Sequence, residues 1–545
     1  MKRSAPHIVC FAPYTDWSIH SARQVTILNA LRRRGCSVSY ITCDGVFSDC
    51  DLYQQATAGP GHRPADACSF CQARVATKLA GWGMPFRWLS RWLTSEDRAA
   101  ASKWVQSLKP LAYPGARYPD ARHGSWPIGD WVKSSVHRHF RHNTLDLTDP
   151  RVAAVYGSYL FSGALAAMGL DRLFAEETPD AQLLFNGRMG VTRVALELAK
   201  PRGIRTICEE RGYVAGRITL FDNVNCLDFT SLGELWADWR DVPLTAEETH
   251  EIGQVLTDRW HGRSKDVSAY SAGLGATANA IAALGLDPAR PTWALYPSSL
   301  DEASEIDTSN EPFESQYAWI DATVAFVAAR PNLQLVIRIH PNAGSRKSLG
   351  QNDQDLAYFE ALATRLPANV RLVPSASTFG SYDLARAAAL GLIWRSTIGL
   401  EMAAMGATVV RVGAGPLCHA HFMQSPATPA GYHDILLEHA SRKPGHDIAT
   451  AIQAWRFAHT FFFRWSMPFP LVRQPKWYVG EMNYTDATAL APGKDATLDH
   501  ICRVFMERRP LFNPAPERSA DVAAAEAGAI AARIAPYRSG FAATM

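Results

Sequence analysis

The chain lacks both long hydrophobic runs and clusters of like charge. Of its 545 residues, Lys and Arg total 55 and Asp and Glu total 52, so the net charge is +3. This balance, together with the lack of any basic block of five or six residues, gives no indication of a nucleic-acid-binding protein. No stretch of about 18 apolar residues is present, and no secretory leader follows Met1. We therefore predict a cytoplasmic protein without a transmembrane helix, with peripheral association at the inner face of a membrane as an alternative.

Cysteine is also sparse, with ten residues in the whole chain. Cys10, Cys208 and Cys502 lie in apolar runs and are predicted to be reduced core residues. Four others form the pattern C-x6-C-x17-C-x2-C at Cys43, Cys50, Cys68 and Cys71. The close C-x2-C pair suggests a structural zinc site, while the wider first spacing favours free or locally paired thiols. Both alternatives stay open at this point.

The first part of the chain follows a β-α-β pattern. A strand at 7–14, a helix at 21–35 and a strand at 37–43 predict the start of a parallel sheet. The pattern is interrupted at about 44–150, which is predicted to be a helical insertion, and it resumes through the strand at 204–210. No G-x-G-x-x-G motif follows the first strand, so a dinucleotide-dependent enzyme is not favoured. We assign residues 1–285 to an N-terminal Rossmann-like domain on the acceptor side.

A second β-α series begins after the Asp-Pro-Ala-Arg-Pro segment at 287–291. Five apolar segments alternate with helical segments, at 292–299, 333–341, 370–374, 390–395 and 408–413. This alternation is typical of a doubly wound parallel sheet. Residues 286–430 are therefore predicted to form a second Rossmann-like domain, and residues 431–545 to form helices that pack back across both domains. The aromatic segment 454–469 is predicted to be a core helix.

Polar residues follow two strands of the second series, where ligands bind in open parallel sheets. One group is Arg338, His340, Pro341 and Asn342, and its imidazole is able to donate to a phosphate or a leaving oxygen. A second group contains Arg395, Ser396, Thr397 and Glu401. Ser396 is predicted to cap a helix whose free N–H groups attract an anion, and Glu401 to accept ribose hydroxyls. Weaker candidates lie at the end of the strand at 292–299, namely Ser298 and Ser299, and just after it, where Asp301 or Glu302 is a candidate second catalytic carboxylate.

In the first series, Glu209 and Glu210 end the strand at 204–210. Adjacent residues of a strand point to opposite faces, so one of the two carboxylates is expected to face the cleft as a general base. Both stay candidates, with Glu209 slightly preferred. Weaker candidates for the acceptor side follow neighbouring strands, at Tyr14, Asp16, Asn186 and Arg188.

At these motifs the chain resembles bacterial capsule polysaccharide biosynthesis glycosyltransferases, most closely Kdo transferases and more distantly the GT-B sialyltransferases. Those families share an acidic-acidic-Gly motif, a His-Pro motif and a Ser-Ser/Thr motif in this order. The counterparts here are Glu209-Glu210-Arg211-Gly212, His340-Pro341 and Ser396-Thr397. Arg211 departs from the first motif and leaves the identity of the base open. The resemblance covers roughly residues 180–415.

The resemblance implies a GT-B fold, with two Rossmann-like domains facing across a cleft. It implies a metal-independent glycosyltransferase in which His340, Ser396 and Thr397 hold a nucleotide sugar, such as CMP-Kdo or another CMP-activated acidic sugar, and Glu209 or Glu210 activates the acceptor. A surface glycan or lipid-linked glycan is the expected acceptor. The alternatives are a UDP- or GDP-hexose transferase, an epimerase of the same fold, and a non-catalytic scaffold for capsule assembly.

Overall fold

A computed structural model gives the architecture of the chain. It describes residues 6–52, 66–108, 117–142, 144–264, 273–275, 279–298, 306, 311–341, 353–440, 446–476 and 478–538. The predicted site residues Ser299, Asp301, Glu302 and Asn342 lie outside the described residues.

The first sheet has seven strands in the order β12-β6-β5-β4-β1-β2-β3. Its strands are β1 (His7–Phe11), β2 (Ser37–Thr42), β3 (Phe86–Trp88), β4 (Ala181–Phe185), β5 (Arg205–Arg211), β6 (Arg217–Asp222) and β12 (Met467–Pro468). The five strands β1 to β5 run parallel, whereas β6 is antiparallel to β5 and β12 is antiparallel to β6. The parallel part has the order 3-2-1-4-5 of a doubly wound sheet.

Helices surround this sheet and fill the insertion. They are α1 (Ser18–Arg33), α2 (Ala67–Gly81), α3 (Ser95–Ser107), α4 (Ile128–Phe140), α5 (Pro150–Glu177), α6 (Gly190–Ala199), α7 (Thr230–Trp239) and α8 (Ala246–Trp260). Thr94 and Thr245 start α3 and α8 with capping boxes, in which Asp97 and Glu248 bond back to the threonine N–H. Asp149 caps α5, and Pro150 occupies its first position.

The second sheet has five parallel strands in the order β11-β10-β7-β8-β9. The strands are β7 (Thr292–Tyr296), β8 (Gln334–Arg338), β9 (Val370–Val373), β10 (Leu390–Ile393) and β11 (Val409–Arg411). The helices of this part are α9 (Ala280–Ala283), α10 (Gln316–Ala328), α11 (Asp353–Ala363), α12 (Ser381–Ala387), α13 (Ile398–Ala404) and α14 (Pro429–His439). The order is again that of a doubly wound sheet, and its inner strands are almost completely buried. The predicted α/β class with two mainly parallel sheets is confirmed.

After the second sheet the chain returns to the first. Helix α15 (Ile448–His459) continues into a π-helical turn at Thr460–Arg464, and β12 then joins the first sheet. A hairpin of β13 (Val472–Lys476) and β14 (Val479–Met482) follows, and then α16 (Ala496–Glu507) and α17 (Ala520–Arg538). The aromatic segment is buried, as predicted, with Trp455, Phe461 and Phe462 inaccessible to solvent. Each such side chain contributes about 1.5–3 kcal/mol of hydrophobic stabilisation.

Several elements differ from the sequence prediction. The insertion at about 44–150 is not purely helical, because β3 extends the first sheet. The prediction omits β6 and treats the region after 430 as helical, whereas it also contains β12, β13 and β14. Helix α5 is long and apolar enough to cross a membrane by length and composition, but 72% of that window is buried inside the protein, as in a core helix.

Candidate active site

The carboxyl ends of β7, β8 and β10 surround a cavity of about 110 Å³. Its walls include most of the predicted donor-side residues, namely Arg338, His340, Pro341, Ser396, Thr397 and Glu401. His340 and Ser396, which are 56 positions apart in the chain, therefore face the same space because parallel strands end at one edge of the sheet. The volume suits a phosphate-sized group rather than a whole nucleotide.

Two predicted donor-side residues make internal contacts at this edge. The buried guanidinium of Arg338 donates to the Ser381 hydroxyl and to the backbone carbonyls of Ile339, Pro374 and Ser377. Ser298 accepts from the backbone N–H of Arg395 through its hydroxyl, at 2.9 Å. These bonds fix the loops that form the cavity wall.

Ser396 and Thr397 precede the short helix α13, but the cap differs from the prediction. Thr397, not Ser396, occupies the cap position, and its side chain makes no capping hydrogen bond. The backbone carbonyl of Ser396 accepts from Gly399, and that of Thr397 accepts from Leu400. Neither side chain caps the helix in the structure, and both residues form part of the cavity wall.

Glu401 is buried at the back of the cavity and has two partners. Tyr382 donates its hydroxyl to the Glu401 carboxylate at 2.5 Å, and a guanidinium nitrogen of Arg259 lies 3.5 Å from it. Burial raises the pKa of Glu401, while Arg259 and the Tyr382 hydrogen bond offset part of that rise. Arg259 comes from α8 and also lines the cavity, so this carboxylate connects α8 to the second sheet.

Arg395 does not line this cavity. Its guanidinium forms a 2.5 Å ion pair with Glu311, which also accepts from the backbone N–H of Ala414. Glu311 lies on the wall of a larger cleft of about 1160 Å³. That cleft is bounded by α6 and the loop after β6 on one side and by the segment after β11 on the other. The side chain of Arg395 thus lies outside the cavity that His340 and Ser396 line.

The two predicted carboxylates at the end of β5 have different environments. Glu209 is 0% exposed and lies opposite Phe185 of β4 and Leu220 of β6. Its carboxylate is 3.0 Å from the Nδ1 atom of His20 and accepts from the Gln24 amide at 3.3 Å. The Glu210 side chain is 24% exposed, and its nearest oxygen is 3.9 Å from Nε2 of His20. One imidazole therefore lies between the two acids.

Burial shifts the pKa values of this imidazole and of the Glu209 carboxyl group beside it. Burial raises the pKa of Glu209 to about 8, and the guanidinium groups of Arg23 and Arg211 offset part of the rise. Burial also lowers the pKa of His20 well below its usual value, an effect that Glu210 partly opposes. Burial thus favours the uncharged forms of both Glu209 and His20.

The predicted acceptor-side residues make internal contacts. Tyr14 donates its hydroxyl to Asp51 at 2.6 Å, and Asp16 pairs with Arg74 and Lys78 of α2. Asn186 accepts from the backbone N–H of Arg188 through its side chain, and the Arg188 guanidinium donates to Ser134 of α4. These contacts attach α2, α4 and the loop after β4 to the edge of the first sheet.

Gly187 makes the turn after β4 possible. Its φ is +67°, in the left-handed region, and a Cβ at this position would lie 2.7 Å from the Cys208 sulfur. Asn186 before it also has a positive φ, of +39°. The turn thus has two residues in a conformation that glycine and asparagine adopt most readily.

An aromatic segment lies between the β5 end and the donor-side cavity. The ring of Tyr213, just after β5, is 4.4 Å from that of Phe461 and 6.5 Å from that of Phe462. The guanidinium of Arg259, in the cavity wall, is 5.2 Å from the Phe462 ring. The segment that follows β5 and the wall of the second-sheet cavity therefore both contact Phe462.

Of the two alternatives for the cysteine cluster, the structural zinc site is not supported by the described residues. Cys43, Cys50, Cys68 and Cys71 lie near one another, and none of the four forms a disulfide within the described residues. Within the residues that the structure describes, no three His, Cys, Asp or Glu side chains are grouped so that they would hold a metal ion. Burial instead raises the pKa of Cys43 to about 12, which favours the thiol. Cys10, Cys208 and Cys502 are buried free thiols, as predicted.

Sequence reasoning missed His20, Arg259 and Tyr382. His20 and Gln24 are four residues apart on α1 and share a buried face, where polar residues are unusual. That inward polar pair was the available signal. Nothing local indicated Arg259 or Tyr382, because both are identified by their contact with Glu401.

Comparison with known proteins gives similarity to solved structures only. No protein-family model matches the chain, and no curated protein matches it in sequence. A β-Kdo 2,4 transferase, KpsC of Thermosulfurimonas dismutans, is 13% identical with a TM-score of 0.32, over 52% of this chain and 80% of its own. The calicheamicin glycosyltransferase CalG4 is 12% identical with a TM-score of 0.25, over 85% and 94%. A Listeria monocytogenes structure described as a putative UDP-N-acetylglucosamine 2-epimerase is 9% identical with a TM-score of 0.27, over 94% and 100%. At these levels of similarity, activity has to be inferred from the site itself.

Proposed function

We propose that the protein is a glycosyltransferase that moves a sugar from a nucleotide donor to a glycan acceptor. The observation that carries this proposal is the shared cavity of His340, Ser396 and Thr397 at the edge of the second sheet. A pair of carboxylates, Glu209 and Glu210, lies on β5, and the ring of Tyr213 just after that strand packs on Phe461 of the aromatic segment. Sugar transfer needs a site that binds the leaving phosphate and a base that accepts the proton of the acceptor hydroxyl. The cavity of the second sheet is suited to the first task and a carboxylate of β5 to the second.

The proposed phosphate-binding site holds the donor through hydrogen bonds. The imidazole of His340 and the hydroxyls of Ser396 and Thr397 are polar groups in a cavity of phosphate size. They are suited to stabilise the negative charge that develops on the phosphate as its bond to the sugar breaks. No step of this mechanism requires a metal ion.

The donor and acceptor are proposed from the resemblance of the motifs. An acidic sugar such as Kdo, activated by CMP, fits the order of the acidic, His-Pro and Ser-Thr motifs along the chain. The acceptor is then a surface glycan or a lipid-linked glycan, and the protein works in the cytoplasm at the inner face of the membrane. A UDP- or GDP-hexose transferase and an epimerase are the enzymatic alternatives, and a non-catalytic scaffold is the third.

Thermal unfolding with CMP, UDP and GDP tests the donor. A ligand that binds the folded state raises the unfolding midpoint, so CMP is expected to raise it more than the other two. A shift with UDP alone would overturn the CMP assignment. An assay for turnover of CMP-Kdo and UDP-N-acetylglucosamine then separates transfer from epimerisation. The scaffold alternative gains support if no nucleotide binds and no sugar nucleotide is consumed.

A further inference from the structure

A buried histidine connects the two acids at the end of β5. His20, in the first turn of α1, is 4% exposed at its side chain and contacts both acids through different ring atoms. Nδ1 faces Glu209 at 3.0 Å, and Nε2 faces Glu210 at 3.9 Å. Its ring also packs on Phe185, with the centroids 3.9 Å apart. The imidazole is thus held by a carboxyl group at one end and by an aromatic ring on its face.

Exposure distinguishes the two acids. A general base has to touch the acceptor hydroxyl, and Glu209 is closed off from solvent on all sides. Glu210 is partly exposed, and its carboxylate also accepts from the backbone N–H of Arg211 at 2.9 Å. Only Glu210 of this pair is therefore placed to meet a substrate.

The protonation states support a direction for the hydrogen bonds. Burial raises the pKa of Glu209 to about 8 and lowers that of His20, so near neutral pH a protonated Glu209 faces a neutral imidazole. The Glu209 O–H then donates to Nδ1, which leaves the ring proton on Nε2. Nε2 lies 3.9 Å from the nearest Glu210 oxygen, so this N–H is on the side of the ring next to Glu210. The other charged groups around the trio are Arg23 of α1 and Arg211 of β5.

We propose that Glu210 is the base that takes the acceptor proton and that His20, oriented by Glu209, is the positioning residue that holds Glu210. This inference rests on the proposed transferase function and selects between its two candidate acids. In the step, the acceptor O–H bond breaks and its proton passes to the Glu210 carboxylate. The acceptor oxygen forms a bond to the anomeric carbon, the bond from that carbon to the donor phosphate breaks, and the nucleotide leaves with the electron pair.

The first test compares Glu210→Gln with Glu209→Gln in an assay of sugar transfer. Glu210→Gln is expected to lower kcat by about 100-fold or more, the range for loss of a general base, while the midpoint shift caused by CMP is unchanged. Glu209→Gln is expected to retain transfer within about tenfold, because an amide also donates to Nδ1. Glu507→Gln, an exposed glutamate of α16 paired with Arg509, is the matched control and should leave transfer unchanged.

The second test concerns His20. An asparagine at position 20 places its amide near Nδ1, whereas a glutamine reaches the position of Nε2. His20→Asn is therefore expected to lower kcat with little change in acceptor KM. His20→Gln is expected to recover part of the rate. His250→Asn, on the exposed surface of α8, is the matched control.

The outcomes separate this inference from the proposed function. If the native protein transfers sugar but Glu210→Gln remains active, or if Glu209→Gln alone abolishes transfer in a folded protein, the assignment of Glu210 is wrong. If His20→Asn leaves kcat unchanged, or if His20→Gln recovers none of the lost rate, the positioning role is wrong. A native protein that consumes no nucleotide sugar would overturn the transferase function itself. Should Glu210→Gln not fold, Glu210→Asp supplies the same comparison, with an expected partial loss of kcat.

Discussion

Arg259 and Glu401 form an ion pair between α8 and the helix that starts at the donor-side cavity, with 3.5 Å between nitrogen and oxygen. Glu401 is almost fully buried and has Tyr382 as its second partner. A buried carboxylate needs such partners, because removal of its counter-charge leaves an uncompensated charge in a poorly solvated site. The ion pair thus joins α8, which lies in the chain between the two sheets, to α13 in the wall of the cavity.

Arg259→Met is expected to destabilise the protein by about 3–5 kcal/mol, since it leaves Glu401 without its cation. Urea unfolding followed by circular dichroism measures this change. The double variant Arg259→Met with Glu401→Gln should recover most of the loss. Arg240→Met, which removes an exposed partner of Asp241, is the control and is expected to cost less than about 1 kcal/mol. Equal losses for the two arginines would contradict a special role for the buried pair.

His340→Ala and Ser396→Ala are expected to weaken donor binding. Hydrogen bonds to a charged group contribute about 1.5–3 kcal/mol, which corresponds to roughly 10- to 100-fold in Kd for each substitution. Isothermal titration with CMP measures the effect. His433→Ala, on the exposed side of α14, is the control. Unchanged CMP affinity in both cavity variants would show that the donor phosphate does not bind in this cavity.

Glu209→Gln is expected to change the pH dependence of stability. Burial raises the pKa of Glu209 from its usual 4.5 to about 8, so the folded protein keeps a proton that the unfolded chain has released. The stabilisation from this group is complete below about pH 4.5 and is lost as the pH rises toward 8. Glutamine does not ionise, so the unfolding midpoint of the variant minus that of the native protein should increase between pH 5 and pH 8. Glu507→Gln should show no such trend, and a flat difference for Glu209→Gln would contradict the raised pKa.

Gly187→Ala is expected to destabilise the first domain by about 1–3 kcal/mol. A methyl group at this position meets the Cys208 sulfur at 2.7 Å and has to adopt a φ of +67°. The double variant with Cys208→Ala removes the clash but keeps the backbone strain. Its loss of unfolding free energy should therefore be smaller than the sum of the losses in the two single variants. Denaturant unfolding of the four proteins in this cycle measures the coupling. Strict additivity would show that the contact with sulfur is unimportant.

The second sheet was predicted well because its strands are short apolar runs bounded by Pro, Gly or charged residues. β8, for example, was expected at 333–341 and spans Gln334–Arg338. β6 was missed, although Gly212 and Gly216 flank the turn that pairs it with β5. The strand β12 has only two residues, and its existence depends on pairing with β6, some 250 positions earlier in the chain. Such a contact leaves no local pattern.

The candidate site was predicted as two motifs but not as a network. His340 and Ser396 each follow an apolar strand, so the rule that ligands meet the carboxyl ends of strands brought them together. The same rule included Arg395, whose side chain instead pairs with Glu311. The contact of His20 with Glu209 spans 189 positions and depends on the packing of α1 against β5. Side-chain direction at a strand end is decided by tertiary contacts that spacing alone does not contain.

The strand that completes the first sheet comes from the last part of the chain. A ribosome makes Met467 and Pro468 only after it has made the entire second sheet, and until then the outer edge of β6 has no partner. Open strand edges promote pairing between separate chains. The nascent protein therefore exposes this edge of β6 while the second sheet is being made, and the first sheet gains β12 only afterwards.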